Sequence, residues 1–155
     1  MAQKRIQHIP EGSNPTQEKF INYIMKCGKK TVAREIFKNC LRKMEQKGHK
    51  KPLEIFEKAI ENAKPNMEVR PRRIGGAVYQ IPVEVKHHRQ LALSFRWIIN
   101  AARGKKGGAM DKKLADELIE AANEQGAAIK KRDDTHKMAA ANKAFAHLAK
   151  YQNVK

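Results

Sequence analysis

Lysine and arginine outnumber the acids 33 to 16 in this chain of 155 residues, and any fold it adopts must accommodate a formal charge of +17. Self-repulsion on that scale destabilises a compact monomer, so the surplus calls for a polyanion. Nucleic acid is the first such partner, and an anionic membrane surface the second. No apolar run approaches the roughly 20 residues that span a bilayer. The opening segment, Met1 to Pro10, is polar and lacks the apolar centre of a secretory signal. Charge therefore points to nucleic acid. The length suits one domain with a real core and is short for two.

Helical periodicity organises most of the chain. Up to about Ser13 there is no hydrophobic period, and the segment reads as a flexible basic arm. Asn14-Pro15-Thr16-Gln17 then supplies an N-cap, a proline at the first helical position and a glutamine three residues after the cap. Phe20, Ile21, Ile24 and Met25 follow at helical spacing, with Gly28 as the stop. A second stripe comprises Val32, Ala33, Ile36, Phe37, Cys40, Leu41 and Met44, ended by Gly48. A third helix begins near Pro52, uses Leu53, Phe56, Ile60 and Ala63, and halts at Lys64-Pro65.

From Met67 to Val85 the period changes to two. Pro71 forbids a helix over Met67 to Ile74, and after Gly75-Gly76 the residues Tyr79, Ile81, Val83 and Val85 alternate on one face. Two strands about a glycine turn predict a β-hairpin. Pro71 and Pro82 each remove a ladder donor, so both strands are edges, and such a ribbon needs helices or a partner to lean on. Helical spacing returns with Leu91, Phe95, Ile98 and Ala102, widened by Trp97 and Ile99, and Arg103 to Gly108 break it as a basic loop. Asp111 is predicted to cap a fifth helix bearing Leu114, Ala115, Leu118, Ile119 and Ala122, closed by Gly126. Lys130-Lys131-Arg132 leads into a last helix with Met138, Ala141, Phe145 and Leu148. The predicted fold is mainly α. A single helical domain of about six helices, residues 14–148, carries one projecting hairpin, 67–85, between the third and fourth helices. An arm, 1–13, precedes it and a tail, 149–155, follows.

Chemistry-bearing residues form no catalytic set. Cys27 and Cys40 fall inside predicted helices and read as reduced packing thiols. None of the six histidines pairs with them at zinc-finger spacing, and the adjacent His87 and His88 point different ways, so no metal site is expected. Gly104-Lys105-Lys106-Gly107 lacks the serine or threonine and the preceding strand of a phosphate-binding loop. Asp133 and Asp134, beside His136, read as caps at a helix start rather than acid–base groups.

The cations are placed with a purpose that stability alone does not supply. From Lys26 to Lys51 there are 10 lysines and arginines against two acids, Glu35 and Glu45. Lys29 and Lys30 open the second helix, where the macrodipole disfavours a cation by about 0.3–1 kcal/mol each. Lysines beside exposed backbone N–H groups make a phosphate site. Arg70, Arg72 and Arg73 stand before the double glycine, with Tyr79 and Gln80 across the turn. Arginine grips phosphate through two parallel donors, and a flat aromatic can stack on an unpaired base or on a cross-strand neighbour. Further clusters run from Arg96 to Lys113 and from Lys130 to Lys137. A duplex DNA reader concentrates its contacts on one recognition helix. Charge spread over loops, hairpin and helix starts suits a folded RNA. A free-standing DNA-compacting protein is the alternative.

Several long motifs in one order give these residues a family context. Phe20 to Lys30, Glu68 to Val85, Arg96-Trp97-Ile98 and Gly126 to His147 together make the chain resemble the bacterial-type small-subunit ribosomal protein seven family, from about Phe20 to His147. After the hairpin it reads Lys86-His87-His88-Arg89, where relatives usually carry a proline and an acidic or basic residue. The resemblance implies a six-helix core with an extended hairpin, no catalytic activity and no cofactor. It implies a primary binder of 16S-type rRNA that nucleates assembly of the head domain on a cytoplasmic ribosome, an organellar one being the alternative. Lys29, Lys30, Arg34, Arg72, Arg73, Arg96, Lys130, Lys131 and Arg132 would hold rRNA. Lys4 and Arg5 of the arm, Arg70 of the hairpin, and Arg103, Lys105 and Lys106 of the basic loop would join them. Gly75, Gly76, Tyr79 and Gln80 would face exit-site tRNA and the outgoing mRNA, with Lys137, Asn142 and Lys143 nearby. Neighbouring head and platform proteins complete the implied partners, with no membrane and no small-molecule substrate.

Overall fold

Asn14 sets where the first helix starts. Its side chain accepts from the Thr16 amide, and the Gln17 side chain accepts in turn from the Asn14 amide, with Pro15 in the first helical position. The structure, a computed structural model, describes residues 13–153, with side chains to 148. Lys4, Arg5 and the rest of residues 1–12 lie outside the described residues. In chain order the elements are α1 (Pro15–Ile24), α2 (Lys30–Gln46), α3 (Pro52–Ala63), β1 (Met67–Ile74) and β2 (Ala77–Glu84). They continue as α4 (His87–Gly104), α5 (Met110–Ala122), α6 (Gly126–Ala141) and a closing 3-10 segment, Lys143–Asn153. This is the mainly helical architecture, with one hairpin between the third and fourth helices, that the periodicity predicts.

One phenylalanine clamps four helices. Phe20 of α1 is fully buried and meets Phe37 of α2, Phe56 of α3 and Phe95 of α4 edge to face, with ring centroids 5.8, 5.0 and 5.1 Å apart. Each such pair adds about 0.5–1.5 kcal/mol beyond area burial, because a positive ring edge meets a negative face. Beside this cluster α5 is the hub, packing on α2, α3, α4 and α6. Its Ala115, Ala121 and Ala122 are small enough to let those helices come close, while Leu114 and Leu118 fill the gaps. From α3, the Asn62 amide donates to the carbonyls of Ala121 and Ala122 at 3.0 and 3.1 Å, tying α3 to the end of α5 where the Ala121 carbonyl also accepts from the Glu124 amide. Fully buried Glu117 ties the next connections. One oxygen accepts the Ala128 amide at 2.9 Å, and the other faces the Lys105 ammonium at 3.0 Å.

The hairpin runs in unbroken antiparallel register from Met67↔Glu84 to Ile74↔Ala77. Gly75 and Gly76 have φ of +58° and +87°, the left-handed pair that a tight two-residue turn demands. Both strands are edges, as the two prolines require. The ribbon leans on α6 and on the 3-10 segment. Ile81 and Val85 are buried there, and the Tyr79 ring packs on Phe145 with centroids 5.4 Å apart. Just before β1, the Asn66 amide donates to His136 Nε2 on α6 at 3.0 Å.

Several local expectations give way. Asp111 is not the cap of α5; Ala109 is, and Asp111 sits in the first turn, pairing with Lys43 at 2.9 Å and accepting the Lys112 amide. After α5 both Glu124, φ +58°, and Gly126, φ +91°, are left-handed, but Gly126 begins α6 rather than merely closing α5. That earlier start, made possible by burial of Ala128 and Ile129, draws Lys130, Lys131 and Arg132 into the helix. Asp133 and Asp134 consequently lie mid-helix and cap nothing, and Asp133 pairs with Arg132 at 2.8 Å. Cys27 leaves the predicted helix for an exposed turn with φ +52°, because α1 ends at Ile24. Cys40 is buried as expected, and burial pushes its thiol up to about 12, which keeps it protonated and inert. Val32 and Leu53 belong to the predicted stripes yet stand exposed.

The four-helix clamp makes a direct prediction. Phe20→Ala destabilises the fold by about 3–5 kcal/mol in urea unfolding. Val78→Ala, at an exposed site on the hairpin, changes it by no more than about 0.5 kcal/mol. Equal effects would contradict the assignment of the core.

Candidate nucleic-acid interface

Four of the candidate cations converge on α1. Glu18 on that helix is buried, and it pairs with Lys30 at 3.1 Å and Arg34 at 3.0 Å on α2. Arg96 of α4 places its guanidinium 5.8 Å from the Tyr23 ring centroid, within cation–π range, and Arg103 donates to the Ile24 carbonyl at 3.2 Å. Lys29 is the residue before α2, in the turn made by Cys27 and Gly28 in left-handed conformations. α2 begins there with no side-chain cap and no acid in its first turn, leaving amides and a positive dipole end facing outward. The hydrogen bond from Arg34 holds the Glu18 carboxyl below its ordinary range, opposing burial, and Lys30 adds to the effect.

On the hairpin, register separates the arginines by face. Arg72 pairs with Tyr79 and shares its face, while Arg73 pairs with Val78 on the other. Both have no ion-pair partner among the described residues, so the ribbon offers free guanidinium groups on its two sides. Arg70 differs. It and Arg89 of α4 both grip buried Glu68, through Nε at 2.5 and 2.8 Å, which clasps the base of the ribbon to α4. Lys130, Lys131 and Lys137 stand exposed on α6, whereas Arg132 is turned toward Asp133 and the Asn62 carbonyl. Lys105 is drawn inward. Burial opposes its charge, but hydrogen bonds to Glu120 and Glu117 outweigh that and hold it above the ordinary lysine range. Lys106 remains exposed beside it.

Among the described residues, no group of three or more His, Cys, Asp or Glu side chains could hold a metal, and no helix is long and apolar enough to cross a membrane. The family model described as ribosomal protein S7p/S5e matches residues 1–143. The chain belongs to that family. It is 57% identical over 129 residues to the small ribosomal subunit protein uS7 of Nautilia profundicola, covering 83% of each chain. To the proteins of the same name from Thermotoga maritima and Thermomicrobium roseum it is 54% identical over 129 residues and 51% over 138. Those matches cover 83% of both chains in the first case, and 89% of this chain and 88% of the relative in the second. Members of the S7p/S5e family are structural proteins and not enzymes.

Within this family member most of the predicted site residues fall into three places, apart from Lys130, Lys131 and Arg132 midway along α6. Lys29, Lys30, Arg34, Arg96 and Arg103 gather at the α1–α2 corner. Arg70, Arg72, Arg73, Gly75, Gly76, Tyr79 and Gln80 are on the hairpin. Lys137, Asn142 and Lys143 lie where α6 passes into the 3-10 segment that supports β2. Asn142 closes α6, its amide donating to the Met138 carbonyl at 2.8 Å. Lys105 and Lys106 stand apart, near α5. Sequence reasoning overlooked Arg89 and Glu68, which anchor the ribbon, and Lys26, which stands with Lys29 and Arg103 around an apolar hollow. Lys26 sat inside the basic run already noted, but nothing local distinguished it.

Glu18 makes stability depend on acid. Its folded-state pKa lies below the unfolded one, so its contribution is present above the unfolded value and is lost as pH falls through the folded one. Melting temperature is expected to drop below about pH 4.5, and Glu18→Gln to lower it at pH 7 while flattening the acid-side drop. An unchanged acid limb in that variant would show that Glu18 is not the responsible group.

Proposed function

We propose that this chain, a structural constituent of the small ribosomal subunit working in the cytoplasm, grips 16S-type rRNA through the α1–α2 corner, the hairpin and the exposed lysines of α6. The observation that carries the reading is the arrangement around Glu18. One buried carboxylate orients two cations that remain more than one third exposed, beside an uncapped helix N-terminus. Such cations are aligned for phosphate before it arrives, so little side-chain freedom remains to be lost on binding. Lys29, Lys30, Arg34, Arg72, Arg73, Arg96, Lys130 and Lys131 make the principal contacts, with Lys4, Arg5, Arg103 and Lys106 adding charge. Lys105 and Arg132, less exposed and turned onto carboxylates, act chiefly by holding their neighbourhoods in shape, whereas Arg70, which shares Glu68 with Arg89, both braces the ribbon and adds charge.

Binding the folded form of an RNA junction favours that form by mass action, which is how such a protein nucleates the subunit's head domain. The hairpin turn at Gly75 and Gly76, Tyr79 and Gln80 farther along β2, and the nearby Lys137, Asn142 and Lys143 face exit-site tRNA and the outgoing mRNA. Remaining surface meets neighbouring ribosomal proteins.

The test is Arg72→Ala combined with Arg73→Ala, assayed against the 3′ major domain of small-subunit rRNA. The slope of log affinity against log salt is expected to fall by about two, with weaker binding and an unchanged melting temperature. Unfolding of the double variant would make the arginines structural, and an unchanged slope would remove the hairpin from the RNA.

A further inference from the structure

A hollow of about 290 Å³ opens where α1 ends, α2 begins and α4 gives way to α5. Its walls are apolar, formed by Met25, Val32, Ile36 and Met110, and its mouth is cationic, with Lys26, Lys29 and Arg103. Among the described residues, no carboxylate lines it. Val32 stands 49% exposed, although it lies on the apolar stripe of α2. The bond from Arg103 to the Ile24 carbonyl holds that guanidinium at the mouth in advance of any ligand. The hollow's size lies near the lower end, roughly 300 Å³, of pockets that take small organic groups.

An apolar floor under a ring of cations fits a flat aromatic group that carries a phosphate. We propose that the hollow receives one unpaired nucleotide of the bound RNA, its base against Met25, Val32 and Met110, its phosphate on Lys29 and the Thr31 and Val32 amides in the first turn of α2, the Lys30 amide being held by the Gly28 carbonyl. This deepens the RNA-binding reading above and rests on it. Bulged and looped nucleotides have bases free to be splayed out and stacked on a protein. Thioethers are soft enough to follow a ring face, and the start of α2 is already an anion site. Charge separates this occupant from others. Residues 1–12 carry Lys4 and Arg5 against a single acid, Glu11, and would bring cations to a cationic mouth. An apolar segment of a neighbouring protein would leave Lys26, Lys29 and Arg103 unmatched.

Val32→Trp in the full-length chain fills the hollow and keeps every charge. Its affinity for the 3′ major domain of small-subunit rRNA is expected to fall about 5- to 150-fold, the range of one lost base stack, with the salt slope unchanged. Lys29→Ala, by contrast, lowers that slope by about one. Unaltered affinity in a folded Val32→Trp overturns the proposal. Methyl NMR of the wild-type chain decides independently of that variant's folding. On RNA binding, the ε-methyl signals of Met25 and Met110 move upfield under the ring current of a base, while that of buried Met44 stays. Unmoved Met25 and Met110 signals in the complex overturn the proposal. So does a shift of these signals in the RNA-free chain on Ile6→Ser plus Ile9→Ser, which would place the arm in the hollow. A wild-type chain that binds no rRNA at all is a different outcome and removes the broader reading.

Discussion

Three buried carboxylates shape the cationic surface. Glu18, Glu68 and Glu117 are 4%, 7% and 0% exposed in a chain with twice as many cations as acids. An ionised carboxylate at such depth is strongly unfavourable alone, so each must be paired and hydrogen-bonded. Glu18 holds Lys30 and Arg34, Glu68 holds Arg70 and Arg89, and Glu117 holds Lys105 and the Ala128 amide. The anion is inside and its cations are at the surface. At Glu18 and Glu68 two cations share one anion, so the pairing sets side-chain geometry and still leaves positive charge facing outward.

The core serves that surface. Phe20 draws α1, α2, α3 and α4 together, which brings Lys30, Arg34, Arg96 and Arg103 to one corner. At the other end, Glu68, His136 and the Tyr79–Phe145 pair keep an otherwise marginal two-stranded ribbon standing on α4, α6 and the 3-10 segment. Rigid support is what turns a charged ribbon into a probe with a fixed direction. The same logic accounts for a structural constituent of a ribonucleoprotein that needs no catalytic group.

Much of this was legible in the sequence because it is local. Asn14-Pro15-Thr16-Gln17 writes its capping box in four consecutive residues, and Gly75-Gly76 between alternating strands admits one turn geometry. Failures came where local signals competed. Asp111 carries a capping side chain but lost the position to Ala109, since an acid anywhere in the first turn serves the dipole and Lys43 was within reach. Lys130 to Arg132 looked like a linker by charge, yet Ala128 and Ile129, buried against the core, had already started α6. What the sequence could not display was commitment. Arg103 meets Ile24 across 79 positions, and Arg132 meets Asn62 across 70. Only the folded chain distinguishes a cation that is tied inward from one that is free for phosphate. The apolar hollow at Met25, Val32 and Met110 is likewise assembled from three separate elements.

The central claim is that oriented surface cations give this protein an address on rRNA and not charge alone. A salt-titrated binding assay of the purified full-length chain tests it most directly. The ligand is the 3′ major domain of small-subunit rRNA, with equal masses of unrelated structured RNA and of duplex DNA as competitors. The account predicts tight binding that survives both competitors and loses about 10³–10⁵ in affinity between 50 and 200 mM salt, for roughly six to ten neutralised phosphates. Equal loss to either competitor, or a flat salt response, would contradict it.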